Sequence, residues 1–220
     1  MIRSTVVRLS KALSRQGLYP FLDEHLARLP EGAKVLNVGA GGEVATVLAA
    51  HAGRRSFQVT SLDIDPGRGP DIIGDVAEFD FGDRRFDAVV MCEVLEHVRE
   101  PRQAIETVHR FLRSGGVLIL STPFIFPLHD QPADYYRFTR YGLEWLLRDF
   151  SEVTIRARNS WAEAVNVLLV RLIKEKNPVC RLLAPLIVVL ALMAAPFSLI
   201  VGRLIRTDFM TSGYVTRAVK

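Results

Sequence analysis

The stretch Val35-Leu36-Asn37-Val38-Gly39-Ala40-Gly41-Gly42-Glu43 constrains this chain more than any other. An apolar run rich in β-branched residues stops at a glycine cluster, and Val44 to His51 then reads as the first turns of a helix. A strand, a tight turn and a helix follow one another. Such a turn needs glycine because its backbone takes positive φ and must let a ligand come close. The helix start that follows presents unpaired N–H groups to a polar or anionic group. A cofactor cradle is the first expectation.

The residues around the turn narrow the cofactor. A dinucleotide fingerprint beginning at Gly39 needs glycine at position 44, where Val44 stands. A nucleotide-triphosphate loop needs Gly-Lys-Ser/Thr at its end, and Gly42-Glu43-Val44 supplies neither the lysine nor the hydroxyl. Downstream, the apolar run Phe57 to Leu62 ends in Asp63, which falls 22 residues after Gly41. That matches the roughly 20-residue offset at which an acid meets ribose hydroxyls. Ile72-Ile73-Gly74-Asp75 offers a third short strand ending in an acid, and Phe86-Asp87-Ala88-Val89-Val90-Met91 a fourth strand. Strands alternating with helical segments through residue 158 predict a doubly wound parallel sheet with its ligand at the strand C-terminal ends.

These motifs, with Glu93-Val94-Leu95-Glu96-His97 after the fourth strand and Leu112-Arg113-Ser114-Gly115-Gly116-Val117-Leu118-Ile119 leading into the fifth, resemble the class I S-adenosylmethionine-dependent methyltransferases. The resemblance covers about residues 30 to 158 plus the last strand. It implies an α/β, Rossmann-like, doubly wound seven-stranded sheet of order 3-2-1-4-5-7-6 with the last strand antiparallel. It implies S-adenosyl-L-methionine as cofactor, held by Asn37, Gly39, Ala40, Gly41, Asp63, Ile64, Asp75, Val76 and Cys92. Asp63 would meet the ribose and Asp75 the adenine side. Two positions depart from the family pattern. Asn37 stands where an acid usually helps hold the methionine ammonium, and Glu43 replaces the last glycine of the turn. Asn37 still accepts a hydrogen bond, without the charge that makes such bonds roughly twice as strong. Glu43 at a helix start favours the helix by a few tenths to about 1 kcal/mol.

With 220 residues, the chain is long enough for one α/β domain with an appendage. We divide it into N-terminal helices over 1–30, a methyltransferase domain over 31–158 plus 212–220, and an apolar helical insertion over 159–211. Ile2, Val6, Leu9 and Leu13 recur at helical spacing among basic residues, which predicts an amphipathic helix over 2–16 packed on the domain or lying on a membrane. The continuous apolar core of a signal peptide is missing there, so secretion is not expected. A second helix is expected from about Tyr19 to Leu29. The net charge of +4 comes without a basic run interleaved with aromatics, so nucleic acid is not an expected partner. Basic residues near the N-terminus and the insertion suit an anionic membrane leaflet better. Cys92 and Cys180 have no metal or disulfide spacing and suggest a reducing compartment.

The insertion is the second informative stretch. Trp161 to Lys176 is an amphipathic helical pattern, and the 21 residues from Leu182 to Gly202 carry no charge, bracketed by Arg181 and Arg203. Length permits a membrane span of about 20 residues. A single crossing conflicts with strands six (Ser151 to Arg158) and seven (Gly213 to Val219) pairing in one sheet, and basic flanks put both ends on the cytoplasmic side. Pro185 and Pro196 predict breaks or kinks, which suit a shallow re-entrant or interfacial hairpin on the inner face of a membrane. A buried helical pair or a homodimer interface is the other use of such a stretch.

Methyl transfer to a hydroxyl profits from a base, and the candidate catalytic residues are His97, His129 and Asp130. His97 reads first as a structural, helix-capping histidine. His129 and Asp130 lie in the long aromatic segment Thr122 to Thr139, whose Asp134-Tyr135-Tyr136-Arg137-Phe138-Thr139 resembles a methyltransferase subgroup associated with cell-envelope glycan or lipid modification. Tyr136, Arg137 and Phe138 read first as braces of a packed loop. Glu93, Glu96 and His97 would share one helical face, with His129 a fourth group, an arrangement like the metal motif of some O-methyltransferases. The same string occurs in members that use no metal, and no metal is expected. The sequence thus points to a membrane-associated O-methyltransferase of a lipid-linked or glycan acceptor. The alternatives are a small quinone-type acceptor, and a non-catalytic scaffold that has lost cofactor binding.

Overall fold

The structure, a computed structural model, describes residues 12–207 and 209–220. The helix expected over residues 2–16 falls largely outside them. Strands β1 (Lys34–Val38), β2 (Gln58–Asp63), β3 (Ile72–Ile73), β4 (Phe86–Cys92), β5 (Leu112–Pro123), β6 (Glu152–Ala157) and β7 (Gly213–Val219) form one sheet of order β3-β2-β1-β4-β5-β7-β6. The first five are mutually parallel, and β7 runs antiparallel to both neighbours. This is the order expected from the sequence.

The helices are α1 (Leu18–Leu26), α2 (Gly42–Arg55), α3 (Pro101–Phe111), α4 (Arg140–Leu146), α5 (Trp161–Arg171) and α6 (Pro178–Leu204). Side chains alternate across each strand, so β4 sends Val89 and Met91 to one face and Ala88, Val90 and Cys92 to the other. Both faces are apolar because both are covered. Val89 and Met91 join Ile105 and Val108 of α3 and Leu143 of α4 in one core, while Ala88 and Val90 join Leu18 and Leu22 of α1 and Leu48 of α2 in the other. Thr139 caps α4 by accepting from Gly142 N at 3.0 Å, and Ser160 opens α5 with a capping box closed by Glu163.

One expectation is corrected. Residues 178–204 form a single continuous helix, with Pro185 and Pro196 inside it, where the prolines predicted breaks. Each ring removes one intrahelical bond, leaving the carbonyls of Arg181 and Leu192 without their usual donors. Packing keeps the segments in line: Val188 and Ala191 sit with Val170 of α5 in a small core of their own, and Asn166 Nδ2 donates to Ala191 O at 2.8 Å. α5 and α6 run antiparallel, with Gly202 against Ser160, where an added Cβ would come closer to the Ser160 side chain than any contact permits. The outer face of α6 is exposed and apolar, including Leu182, Leu186, Met193 and Phe197.

Glycine at 202 is thus a packing requirement. Gly202→Leu should push α6 off α5 and lower stability by about 1–3 kcal/mol, read as a lower chemical-denaturation midpoint.

Candidate active site

The turn between β1 and α2 takes the geometry its glycines allow, with φ of 90°, 86° and 69° at Gly39, Gly41 and Gly42. Gly39 also has no room for a side chain, since a Cβ there would lie 2.5 Å from Val94 Cγ2. Asn37 Nδ2 donates to Gly39 O at 3.2 Å, while its buried Oδ1 has no partner. Asp63 ties β2 to the turn: Oδ2 accepts from Ala40 N at 2.7 Å and Oδ1 from Asp65 N at 2.9 Å. Asp75 Oδ1 accepts from Ala77 N at 2.9 Å.

Two connected chambers open beyond the C-terminal ends of β1 and β4, where the strand order reverses. The larger, about 480 Å³, is lined by Asp63, Ile64, Asp75, Val76, Val98 and Tyr135. It falls within the roughly 300–1,000 Å³ usual for small-molecule sites. The smaller, about 240 Å³, is lined by Ala40, Gly41, Cys92, His129, Arg15 and Arg171. Gly39, Glu93, Val94 and Asp130 line both, so the glycine turn stands at the junction. Every cofactor residue expected from the sequence lines a chamber except Asn37, which is buried beneath the turn.

The catalytic candidates gather at the same junction. Glu96 is fully buried and neither carboxylate oxygen has a hydrogen-bond partner. Its Oε1 lies 3.7 Å from His97 Nε2 and 3.7 Å from His129 Nε2, and the two rings stand edge to face at 4.9 Å. His97 Nδ1 donates to Ala133 O, which leaves its Nε2 unprotonated in the neutral ring. Asp130 Oδ2 is 4.0 Å from His97 Nε2. Burial pushes the Glu96 carboxyl up. Burial alone would pull His129 down, but Glu96, Asp134 and Asp130 together hold its imidazole above the ordinary value. The charge states of Glu96 and His129 therefore depend on one another.

The expected face of Glu93, Glu96 and His97 does not form. Leu95–His97 is a single 3-10 turn, and Glu93 has a left-handed backbone that turns its side chain away. Glu96, His97 and His129 come together instead, with potential ligand atoms within 4.8 Å of one another, a set that could hold a divalent cation. The aromatic segment is a packed loop, as Tyr136, Arg137 and Phe138 suggested. Arg137 grips Asp134 with both terminal nitrogens at 2.6 and 2.7 Å, Phe138 is buried, and Tyr136 stacks on it. Desolvation opposes ionisation of Asp134, but Arg137 wins and holds the carboxyl down at about 2.

A family model described as a methyltransferase domain matches residues 11–166. The chain belongs to the S-adenosylmethionine-dependent methyltransferases. Curated relatives include ubiquinone biosynthesis O-methyltransferases of Alkalilimnicola ehrlichii, 31% identical over 135 residues, and Xanthomonas oryzae, 35% identical over 136 residues. These matches cover 54% and 52% of this chain and 50% and 55% of the relatives, so the chain spans about half the length of the curated relatives it matches. Among solved structures, a methyltransferase of Archaeoglobus fulgidus matches with a TM-score of 0.61 at 14% identity, covering 92% of this chain and 93% of that one. Phosphoethanolamine N-methyltransferase 2 of Haemonchus contortus, solved with S-adenosyl-L-methionine, matches with a TM-score of 0.61 at 14% identity over 92% of this chain and 52% of its own.

In this methyltransferase the junction rests on a pair that sequence reading missed. Arg158, at the end of β6, has no exposed side-chain surface. It donates from Nη1 to Glu93 Oε2 at 3.2 Å and from Nη2 to Glu93 Oε1, while Ser121 Oγ donates to Oε1 at 2.9 Å. Burial would raise the Glu93 carboxyl, but Arg158, with Arg15 and Ser121, keeps it below the ordinary range. A left-handed non-glycine residue costs about 1–3 kcal/mol, which this clamp offsets. No local pattern marks Arg158, because its partner lies 65 residues earlier. Glu93→Gln, which leaves Arg158 charged and buried, should cost about 3–5 kcal/mol of unfolding free energy by chemical denaturation. Arg158 replaced by Met together with Glu93→Gln should recover part of that loss.

Proposed function

We propose that this methyltransferase moves the methyl group of S-adenosylmethionine to a hydroxyl oxygen of a lipophilic, quinol-type acceptor at a membrane surface. The observation that carries the reading is that Asp63 and Asp75 line one chamber beside a positive-φ glycine turn, while His129 lines the adjoining chamber with Glu96 buried 3.7 Å behind it.

The residues present fit the cofactor. Asn37 Oδ1 is a buried acceptor without a donor, which a methionine ammonium would supply. Asp63 offers remaining lone pairs to ribose hydroxyls, and Ile64, exposed at the chamber mouth, and Val76 offer apolar surface to the base. The bound cofactor supplies an electrophilic sulfonium methyl. The chain's own part is orientation, which can contribute roughly 7–11 kcal/mol, and proton removal from the acceptor hydroxyl, worth about 10²- to 10⁴-fold. His129 takes that proton, with Glu96 behind it and Asp130 and His97 at the rim. The ubiquinone O-methyltransferase relatives favour a quinol-type acceptor over the glycan expected from the aromatic loop.

The membrane placement is argued from α6. Its most apolar window has a mean hydropathy of 2.5 and is only 22% buried. Both ends of the insertion are tied to neighbouring strands of one sheet, so α6 would lie along a surface with Lys176, Arg181 and Arg203 beside lipid headgroups. Full-length protein should float with anionic vesicles, and a Leu186→Glu, Met193→Glu, Phe197→Glu variant should remain in the pellet fraction. Equal flotation would exclude this face, and a dimer dissociated by the same variant would assign it to a second copy.

Calorimetry should show S-adenosylhomocysteine binding, weakened about tenfold or more, roughly 1.4 kcal/mol, by Asp63→Ala; no binding at millimolar concentration would leave a scaffold. A neutral imidazole is the base, and the carboxylates raise its pKa. Activity should therefore be lost at low pH and climb through a midpoint above the ordinary value of about 6.5. Glu96→Gln should lower that midpoint, and His129→Gln should cut kcat by about 10²-fold while leaving S-adenosylhomocysteine affinity unchanged. Loss of activity with EDTA, restored by Mn²⁺, would replace the base with a metal ion held by Glu96, His97 and His129.

A further inference from the structure

The insertion also reaches into the smaller chamber, by a route the apolar pattern did not suggest. The last residue of α5, Arg171, and Lys174 in the turn that follows line the chamber together with Arg15, which precedes α1. The other charged groups there have partners of opposite or polar character. Arg68 faces Asp63 and Asp65, Glu93 is clamped by Arg158, and Glu43 accepts from the Tyr19 hydroxyl. Arg171 is different. One terminal nitrogen donates to Ser14 Oγ, the guanidinium lies 4.7 Å from the centre of the Phe126 ring, and the buried Nε has no partner. Among the described residues, neither Arg171 nor Arg15 has a carboxylate within salt-bridge distance.

Arg15 keeps its charge through Tyr19, Glu93 and Glu43, whereas Arg171 beside it is the less favourable of the two cations. Burial first, and then repulsion from Arg15, bring the Arg171 pKa down to about 10. A bound sulfonium in the adjoining chamber would add a third positive charge, and methyl transfer removes that charge by leaving a neutral thioether. An anion in the smaller chamber would offset the charge on Arg171 directly, and the planar guanidinium fork suits phosphate or carboxylate oxygens.

We infer that the acceptor carries an anionic group, a phosphate or a carboxylate, and that Arg171 and Lys174 receive it beside Arg15. This rests on the methyl-transfer reading above and adds to it a specificity determinant supplied by the insertion. A neutral quinol would leave Arg171 with no carboxylate in direct contact, its nearest opposite charge being Glu93, which Arg158 already clamps. The competing occupant is the cofactor's own carboxylate, and the test separates the two.

Phenyl phosphate, benzoate and neutral phenol are titrated calorimetrically into the full chain, with and without saturating S-adenosylhomocysteine. The same titrations are run on Arg171→Gln and on Lys174→Gln, the second at an exposed turn position that leaves the Ser14 and Phe126 contacts in place. Wild-type protein should bind at least one of the two anions about tenfold or more tighter than phenol. Each variant should lose most of that preference while S-adenosylhomocysteine affinity changes less than about twofold. The inference is overturned if phenol binds as well as both anions or if both variants keep the anion preference. It is equally overturned if S-adenosylhomocysteine affinity falls by the same factor as anion affinity, since the cations then serve the cofactor. Failure of S-adenosylhomocysteine to bind wild-type protein would sink methyl transfer, while the cofactor-free titrations would still decide the anion site.

Discussion

Arg158 donates to both oxygens of Glu93 from a position with no solvent exposure, and that contact makes the last parallel strand, the antiparallel edge and the cleft depend on one another. Glu93 leaves β4 in a left-handed conformation, which directs the following backbone, Val94 to His97, across the mouth of the sheet. Val94 then packs so tightly on Gly39 that no other residue fits there. The same change of direction carries His97 to the wall of the larger chamber and Glu96 to a buried position behind it. Desolvating two charges is expensive, and the gain is recovered only because the pair is multiply hydrogen-bonded. What it secures here is a backbone path that no regular strand or helix would follow.

The insertion between β6 and β7 joins two properties that are usually separate. Its outer face is apolar and exposed, while its inner end carries Arg171 to the chamber nearest the glycine turn. The antiparallel α5–α6 pair has its own small core, so it can present a surface without disturbing the sheet. It also starts and finishes beside β7, whose other edge is β5, so any displacement of the pair would be felt at Arg158 and Thr211 near the cleft.

The glycine turn, the acids closing β2 and β3, the strand order and the span of β7 were all legible in the sequence. They depend on residues close together in the chain or on motif order, and Gly39, Gly41 and Gly42 do take the positive φ that their spacing implied. The continuous course of α6 was not legible. A proline rule counts the lost hydrogen bonds at Pro185 and Pro196, whereas the structure adds the packing of Val188 and Ala191 on α5. The helical face of Glu93, Glu96 and His97 failed because spacing alone assumed a helix, where the chain makes a left-handed residue and a single 3-10 turn.

The sequence by itself determined the class of fold and where a cofactor would sit, because hydrophobic period, glycine and turn acids act over a few residues. Only the tertiary structure decided which side chains meet. Glu96 finds His129 from 33 residues away and Arg158 finds Glu93 from 65, and Arg15 comes to stand beside Arg171 across most of the chain. Those meetings are set by how the sheet orders its strands, and the energies that hold them exist only once the intervening chain has been removed from water.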